Sequence, residues 1–221
     1  MSDHYFSADP SVPFSREPVT CEVWGRRLDL VSGSGVYSRG RLDIGTSVLF
    51  RETEPPPPGQ VLDLGTGYGV IGLAVAAAWR SDGVAPGAGS VTGVEVNQRA
   101  VLLANENADR MRLNDRFHAV VPDAAPAGAS YDEIWSNPPI RIGKPALHEL
   151  LLTWFARLRP EGRALLVVGK NLGGDSLQAW LTDQGYPTTR LASAKGFRVL
   201  ESRPGPERSS PRSSPGPSVP S

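Results

Sequence analysis

The sequence contains little cysteine and no long hydrophobic segment. One cysteine, Cys21, occurs among 221 residues, which excludes a disulfide within the chain. The longest apolar run, Val70 to Trp79, has ten residues, whereas a membrane-spanning helix needs roughly 20. The stretch from Met1 to Pro13 is too polar for the hydrophobic part of a secretory signal. These absences predict a soluble, cytoplasmic protein with no membrane partner.

Metal-ligand patterns and an excess of one charge are also lacking. The three histidines, His4, His118 and His148, show no spacing typical of metal ligands, and we predict no metal site. The formal net charge is zero, which argues against a strongly basic nucleic-acid-binding protein. The charges are nevertheless unevenly distributed. Residues 1–136 carry 11 basic and 17 acidic side chains, and residues 137–221 carry 12 basic and 6 acidic ones.

Composition divides the chain into three parts. The tail, residues 203–221, consists almost wholly of Arg, Ser, Pro, Gly and Glu, which predicts disorder. Four consecutive prolines between Glu54 and Gly59 predict a stiff link. We therefore expect an N-terminal cap segment over residues 1–53 and a main domain over residues 60–202.

Apolar strand-like runs alternate with helical patterns along this domain. The predicted strands are 61–64, 91–96, 117–121, 131–135 and 164–168, and the predicted helices are 70–79, 97–112, 146–158 and 176–184. Residues 187–192 and 197–201 predict a closing antiparallel pair. The pattern indicates an α/β fold with a mostly parallel seven-stranded sheet and helices on both faces. Ligands of such folds bind beyond the carboxyl ends of the strands.

A glycine-rich loop follows the first of these strands. The run Asp63-Leu64-Gly65-Thr66-Gly67-Tyr68-Gly69 leads into a helix, whose first backbone amides can face a ligand closely. Asp63 suits a ligand with an ammonium group and would repel a pyrophosphate. S-adenosylmethionine carries an ammonium and a sulfonium. Gly67-x-Gly69-x-x-Gly72 also matches a loose dinucleotide pattern, but the register and Asp63 argue against it, and a ligand-free turn remains the other alternative.

Two further acids follow predicted strands. Glu95, with its neighbour Val96, is placed to hold the hydroxyls of a ribose. Asp123 is placed to accept a hydrogen bond from an adenine amino group, or else is a plain turn aspartate.

The run Asn137-Pro138-Pro139-Ile140 ends the strand 131–135 and suits a planar amine acceptor. The lone pair of such a nitrogen is delocalised, so two acceptors are needed to hold its N–H groups and aim it at a methyl donor. The side-chain oxygen of Asn137 and the carbonyl of Pro138 can do this, because the prolines restrict the backbone. The alternative is a proline turn that merely closes a strand.

With these motifs the chain resembles the class I S-adenosylmethionine-dependent methyltransferases. Within them it is similar to the small methyltransferase domain of bacterial 16S rRNA guanine-N2 methyltransferases and short archaeal relatives. The resemblance covers about residues 4–202. It includes three further runs: His4-Tyr5-Phe6-Ser7, Ser34-Gly35-Val36-Tyr37-Ser38 and Asp43-x-Gly45-Thr46, besides Asn137 to Lys144.

The resemblance implies a Rossmann-like class I methyltransferase fold and further site residues. Gly45 and Thr46 would lie over the methionine end of the cofactor, and the segment around Tyr37 would border the substrate pocket. The position of Ile140 is often aromatic in the family and stacks on the target base. Here that stacking must be weaker or come from another residue, such as Tyr37.

The basic residues of the second half suggest how a nucleic acid would be held. Arg141 and Lys144 directly follow the Asn-Pro-Pro run, where they can bind phosphates beside a target nucleotide. Arg157, Arg159 and Arg163 either add to this surface or simply solvate a helix end and a turn.

These observations predict an S-adenosylmethionine-dependent N-methyltransferase acting on an exocyclic amine, foremost guanine N2 of ribosomal RNA. We expect Asp63, Gly65, Thr66, Gly67, Gly69 and Asn137 to hold the cofactor together with Gly45, Thr46, Glu95, Val96 and Asp123. The alternatives are a protein glutamine amide as acceptor, a cofactor-sensing or RNA-binding module without turnover, and a nicotinamide dehydrogenase.

Overall fold

The computed structural model describes residues 14–36 and 40–206. Nine strands lie in this part of the chain: β1 (Arg16–Val23), β2 (Arg26–Gly33), β3 (Gln60–Leu64), β4 (Ser90–Val94), β5 (Phe117–Val120), β6 (Tyr131–Ser136), β7 (Leu158–Gly169), β8 (Thr188–Ala194) and β9 (Phe197–Ser202). The predicted substrate residue Tyr37, the run His4 to Ser7, Ser38 and most of the predicted tail lie outside the described residues.

Five α-helices connect the strands within the described ranges. They are α1 (Ile44–Arg51), α2 (Val70–Ser81), α3 (Gln98–Arg110), α4 (Lys144–Phe155) and α5 (Gly174–Asp183). No helix in the described part of the chain combines the length and the apolar character needed to cross a membrane.

One seven-stranded sheet forms the centre of the molecule. Its strand order is β5-β4-β3-β6-β7-β9-β8, and every pairing is parallel except those that β9 makes with β7 and β8. The predicted fold, a mostly parallel sheet with a closing antiparallel pair, is confirmed. The chain moves outward in one direction from β3 and returns to start β6 on its other side. A crevice opens at such a reversal, beyond the carboxyl ends of the strands.

Both faces of this sheet are buried, as the apolar strands require. Alternate residues of β7 enter two separate hydrophobic clusters: Leu165 and Val167 enter one, and Leu166 and Val168 the other. Residues of α1, α2, α3 and the β1–β2 hairpin complete the first cluster, whereas α4 and α5 complete the second. The helices therefore cover both faces of the sheet. This packing on both sides fixes the position of the strand ends.

The main boundary error lies between α4 and β7. The sequence pattern predicts a helix to Leu158 and a strand from 164, but α4 ends at Phe155 and β7 begins at Leu158. Leu158 pairs with Tyr131, and the next pair joins Glu133 to Arg163 across a register shift. The irregularity lets Pro160 lie within β7, which a pattern-based reading excludes.

Side-chain hydrogen bonds fasten the β1–β2 hairpin to the rest of the described protein, among them those of Asn107 and Trp24. Asn107 of α3 accepts from the Val31 amide at 2.8 Å and donates to the carbonyls of Val31 and Tyr68, both at 2.9 Å. Trp24 donates to the carbonyls of Phe50 and Thr53 at the end of α1. The division into a cap segment over 1–53 and a domain over 60–202 stays a prediction.

Candidate functional site

A cavity of about 340 Å³ opens where β3, β4 and β6 end. This volume is within the range of small-molecule sites. Of the described residues that line it, none is Lys, Arg or His, whereas two are acids, Asp43 and Glu95. The cavity therefore favours a cationic ligand with apolar parts and disfavours a pyrophosphate. The predicted site residues among its lining are Thr46, Gly65, Thr66, Gly67, Glu95, Val96, Asn137 and Pro139.

The glycine-rich loop between β3 and α2 uses a left-handed backbone. Gly65, Gly67 and Gly69 have φ angles of 74°, 56° and 94°, which side chains with a Cβ rarely adopt. Gly65 and Gly67 line the cavity. Gly69 does not; a Cβ added there would lie 3.2 Å from the Cβ of Ala104 in α3. The first two glycines thus present backbone to a ligand, and the third permits helix packing.

Asp63 lies fully buried behind this loop and is not among the residues lining the cavity. Its Oδ2 accepts from Thr66 Oγ1 at 2.6 Å and from the Gly72 amide at 2.8 Å. The other oxygen, Oδ1, is buried without a hydrogen-bond partner in the described part of the protein. Burial raises the pKa of Asp63 to about 6, and the charge of Glu95 adds to the effect. An unsatisfied buried carboxylate oxygen favours a nearby cation. The predicted contact between Asp63 and an ammonium group stays a prediction.

The buried Asp63 makes stability depend on pH. In the folded protein its pKa of about 6 exceeds the ordinary value of 3.8. The contribution of its protonated form to the free energy of unfolding is therefore fully present below pH ~4 and is lost as the pH rises through about 6. The shift of about two units corresponds to roughly 3 kcal/mol of unfolding free energy. We expect Asp63→Asn to remove a fall of this order between pH ~4 and ~8, as measured by urea unfolding at both pH values.

A matched control for this prediction is Asp109→Asn, because Asp109 is exposed on α3. This variant should keep the pH dependence of the wild-type protein. If Asp63→Asn kept it too, the burial of an ionisable carboxyl at this position would be contradicted.

Glu95 stands directly after β4 and contacts the loop from the other side. Its Oε2 accepts from the Gly67 amide and its Oε1 from the Asn97 amide, each at 3.1 Å. Burial raises the pKa of Glu95, and the backbone amides of Asn97, Gly67 and Val96 oppose this. Val96 is 43% exposed and lines the cavity beside it. This position is compatible with the predicted ribose contact.

Asn137 follows β6 on the opposite wall of the cavity. Its Nδ2 donates to Asp43 Oδ1 at 2.7 Å and to Thr46 Oγ1 at 3.0 Å. Because these bonds use both amide hydrogens, the carbonyl oxygen is the remaining polar atom that can face the cavity. Ser136, the preceding residue, donates to the carbonyl of Leu64 at 2.6 Å and so joins the ends of β6 and β3. The structure therefore brings the glycine loop and the Asn-Pro-Pro run into one crevice.

The two prolines shape a tight turn. Pro139 has φ −74° and ψ 72°, and the Ile140 amide donates to the Pro138 carbonyl at 2.8 Å. These values define an inverse γ-turn. One lone pair of the Pro138 carbonyl is thus occupied. Pro138 is buried and is not among the residues that line the cavity, so its predicted contact with an amine stays a prediction. Ile140 does not line the main cavity; it contributes to a small pocket beside Lys144 and Leu172, whereas Ile142 lines the main cavity.

Several predicted site residues lie outside the cavity. Gly45 is buried in α1, and Asp123 is exposed after Pro122, which does line the cavity. Arg141 and Lys144 are exposed between the lining residues Pro139 and Ala146. Their predicted roles are not tested by this placement.

The three other arginines have structural partners. Arg159 pairs with Asp132 at 2.6 Å, and Arg163 bridges Glu133 and Glu201 at 2.9 and 3.1 Å. Arg157 lies over the ring of Trp154 at 4.4 Å. These contacts favour the reading in which they stabilise the fold.

Two further residues at the site, Asp43 and Asn97, had no role predicted from the sequence. Asn97 caps α3 by accepting from the amides of Arg99 and Ala100, and its Nδ2 donates to the Gly35 carbonyl at 2.7 Å. It thereby holds the segment before Val36, which lines the cavity. Asp43 caps α1 by accepting from the Thr46 amide at 3.1 Å. The sequence signal that could have identified both residues is a helix-capping residue type directly before a helix.

Strand order, crevice and acid-lined cavity together define a class I S-adenosylmethionine-dependent methyltransferase fold and site. Comparison with known proteins agrees with this class. The family model described as methyltransferase small domain matches residues 27–201. The chain belongs to the methyltransferase small domain family.

Individual proteins are also similar to this chain. An uncharacterised Bacillus subtilis protein, YbxB, is 30% identical over 211 residues, which cover 92% of this chain and 99% of the relative. Ribosomal RNA small subunit methyltransferase C of Ectopseudomonas mendocina is 32% identical over 181 residues, which cover 80% of this chain but 51% of that protein. The chain spans about half the length of the curated rRNA methyltransferases that it matches.

A solved structure has a similar fold. The T. thermophilus 16S rRNA N2 G1207 methyltransferase in complex with AdoMet and guanosine superposes with a TM-score of 0.70 at 25% identity. The match covers 88% of this chain and 52% of that one.

Proposed function

We propose that this protein transfers a methyl group from S-adenosylmethionine to an exocyclic amine, namely guanine N2 of 16S ribosomal RNA. The observation that carries the proposal is the orientation of Asn137, whose amide hydrogens are held by Asp43 and Thr46. An acceptor oxygen is thereby left at the wall of an acid-lined cavity. The solved relative that binds AdoMet and guanosine supports the choice of substrate.

The residues of the cavity fit this cofactor. Glu95 would accept from the ribose hydroxyls, and the backbone of Gly65 and Gly67 permits close approach of the ligand. Asp63 lies behind the loop and outside the cavity lining, and the charge on its unpaired Oδ1 would favour a cationic ligand on the other side of the loop. Asp43 and Thr46 lie at the end of the cavity beside Asn137, where the reacting methyl would stand. The bound cofactor supplies an electrophilic methyl on a sulfonium and leaves as a neutral thioether.

The acceptor amine would be held by Asn137 Oδ1 and the free lone pair of the Pro138 carbonyl. Each would take one N–H, so that the nitrogen lone pair points into the cavity toward the methyl. The new C–N bond makes the remaining protons acidic, and one leaves to solvent. No strong base is needed at this site, and the carboxylates nearby favour the transient positive charge.

The segment that joins the cavity-lining residues Pro139 and Ala146 favours a polyanionic substrate. Arg141 and Lys144 are both exposed in it. Lys170 after β7 and Lys195 in the β8–β9 turn are also exposed, and the Lys170 amide donates to the Gly196 carbonyl at 2.7 Å. The cations therefore stand at neighbouring strand ends, where they can bind phosphates on either side of a target nucleotide.

The test is transfer of a labelled methyl group to defined acceptors. We expect incorporation into unmodified 16S rRNA or into small subunits reconstituted from it, with N2-methylguanosine found by mass spectrometry after nuclease digestion. A protein release factor that carries an accessible glutamine serves as the competing acceptor. Methylation of the glutamine amide alone would overturn the RNA assignment and keep the reaction class. Cofactor binding without transfer to either acceptor would overturn the proposed activity.

A further inference from the structure

We propose that Asp43 is a positioning residue that sets the orientation of the Asn137 amide. The inference rests on the proposed function and deepens it, because the orientation decides whether Asn137 presents an acceptor or a donor to the amine. Asp43 accepts from Asn137 Nδ2 at 2.7 Å, across 94 positions of sequence. Thr46 Oγ1 receives the second amide hydrogen at 3.0 Å.

The chemistry of the partners makes this orientation unambiguous. An ionised carboxylate can only accept hydrogen bonds, so Asp43 must face the NH₂ end of the amide and not its oxygen. A flipped amide would set Asn137 Oδ1 against the Asp43 carboxylate and two N–H donors toward the substrate amine. Both arrangements repel. The bond to Asp43 is thus the contact that distinguishes a reactive amide from an unreactive one.

The backbone around Asp43 is arranged to hold that carboxylate still. Its Oδ1 also accepts from the Thr46 amide at 3.1 Å, and its carbonyl accepts from the Ser47 amide at 2.8 Å at the start of α1. A Cβ on Gly45 would lie 3.0 Å from Asp43 Oδ1 and 2.9 Å from the Phe197 ring. In the run Asp43-x-Gly45-Thr46, we therefore assign Asp43 as the acid that orients the Asn137 amide. Gly45 leaves room for the Asp43 carboxylate, and Thr46 accepts the second amide hydrogen.

Capping and positioning can be separated by substitution. Serine caps helices about as well as aspartate, but its shorter side chain does not reach Asn137. We expect Asp43→Ser to lower the turnover rate by about 10- to 100-fold, as loss of one charge-assisted hydrogen bond implies. Asp43→Asn keeps an acceptor but loses the charge, and should lose less. The melting temperature should change little in both variants, and the Kd of S-adenosylmethionine should rise by a smaller factor than the turnover rate falls.

A double-mutant cycle decides whether Asp43 acts through Asn137. Asp43→Ser in an Asn137→Ala background should cause no further loss of turnover, since the group to be oriented is gone. A further loss as large as in the wild-type background would overturn the proposal. A raised cofactor Kd with unchanged turnover would also overturn it, because Asp43 would then be a cofactor ligand.

A second readout does not require activity, so it separates this inference from the proposed function. The side-chain ¹⁵NH₂ signals of Asn137, assigned by their loss in Asn137→Ala, should exchange slowly with solvent in the free protein. Asp43→Ser should make them exchange at the rate of an exposed asparagine such as Asn114. Fast exchange in the unsubstituted protein would refute the positioning role even if methyl transfer is confirmed. Slow exchange in a protein that transfers no methyl would uphold the contact and refute the activity.

Discussion

Asn137→Ala should lower methyl transfer by about 10²- to 10³-fold, the loss typical of removing one preorganised polar group from a reacting centre. The expected reason is that the amine loses the acceptor that holds its lone pair toward the methyl. Affinity for S-adenosylmethionine should stay within about two-fold, because the loop and acid contacts remain. Single-turnover rates with saturating cofactor, together with calorimetric Kd values, measure the two effects separately.

The matched control is Asn114→Ala. Asn114 is exposed beyond the end of α3 and does not line the cavity. This substitution should leave rate and affinity unchanged. If Asn137→Ala weakened cofactor binding and folding as much as transfer, Asn137 would be a structural residue that closes β6, and the proposed mechanism would lose its acceptor.

Glu95→Ala should raise the Kd of S-adenosylmethionine by about 10²-fold or more, since each hydrogen bond to a charged group contributes roughly 1.5–3 kcal/mol. The carboxylate would no longer accept from the ribose hydroxyls. It would also release the Gly67 amide, now held at 3.1 Å. At saturating cofactor the turnover rate should change much less, because Glu95 follows β4 and Asn137 follows β6, with β3 between them. Calorimetric titration gives the Kd directly.

Glu95→Gln tests how many of the carboxylate's contacts matter, those to the ribose hydroxyls and that to the Gly67 amide. The glutamine amide oxygen can still accept from one of these groups, but its NH₂ must face another. We expect an intermediate Kd for this variant. Glu22→Ala, at an exposed hairpin position, is the control that removes an acid elsewhere. A Kd unchanged by Glu95→Ala would exclude the ribose contact.

Local sequence signals predicted most of the fold. The alternation of apolar strands and amphipathic helices gave the seven-stranded sheet, and the antiparallel pair at its end was recognised from two short runs around the Lys195-Gly196 turn. The boundary between α4 and β7 was wrong, because Pro160 and Gly162 signal a turn locally. The register shift opposite Tyr131 accommodates them within the strand.

Some residues of the candidate site lie in the cavity as predicted from the sequence, and others do not. Residues that follow a strand directly, such as Gly65, Glu95 and Asn137, were identified from their positions, and all three line the cavity. Asp63 and Ile140 have the expected sequence positions, but one is buried behind the loop and the other faces a smaller pocket. A strand end specifies where a residue lies along the sheet, not which way its side chain turns. That direction depends on neighbours from other elements.

Local sequence is enough to specify which residue types stand at the carboxyl ends of β3, β4 and β6, because glycines, acids and prolines act on their own backbone and nearest neighbours. The packed fold is needed to bring Asp43 and Asn137 into a hydrogen bond and to place Asn137 in the wall of an acid-lined cavity. Such a contact joins segments distant in the chain, and its geometry exists only after the sheet and α1 have packed together. Whether the Asn137 amide offers an acceptor or a donor to a ligand therefore depends on tertiary contacts.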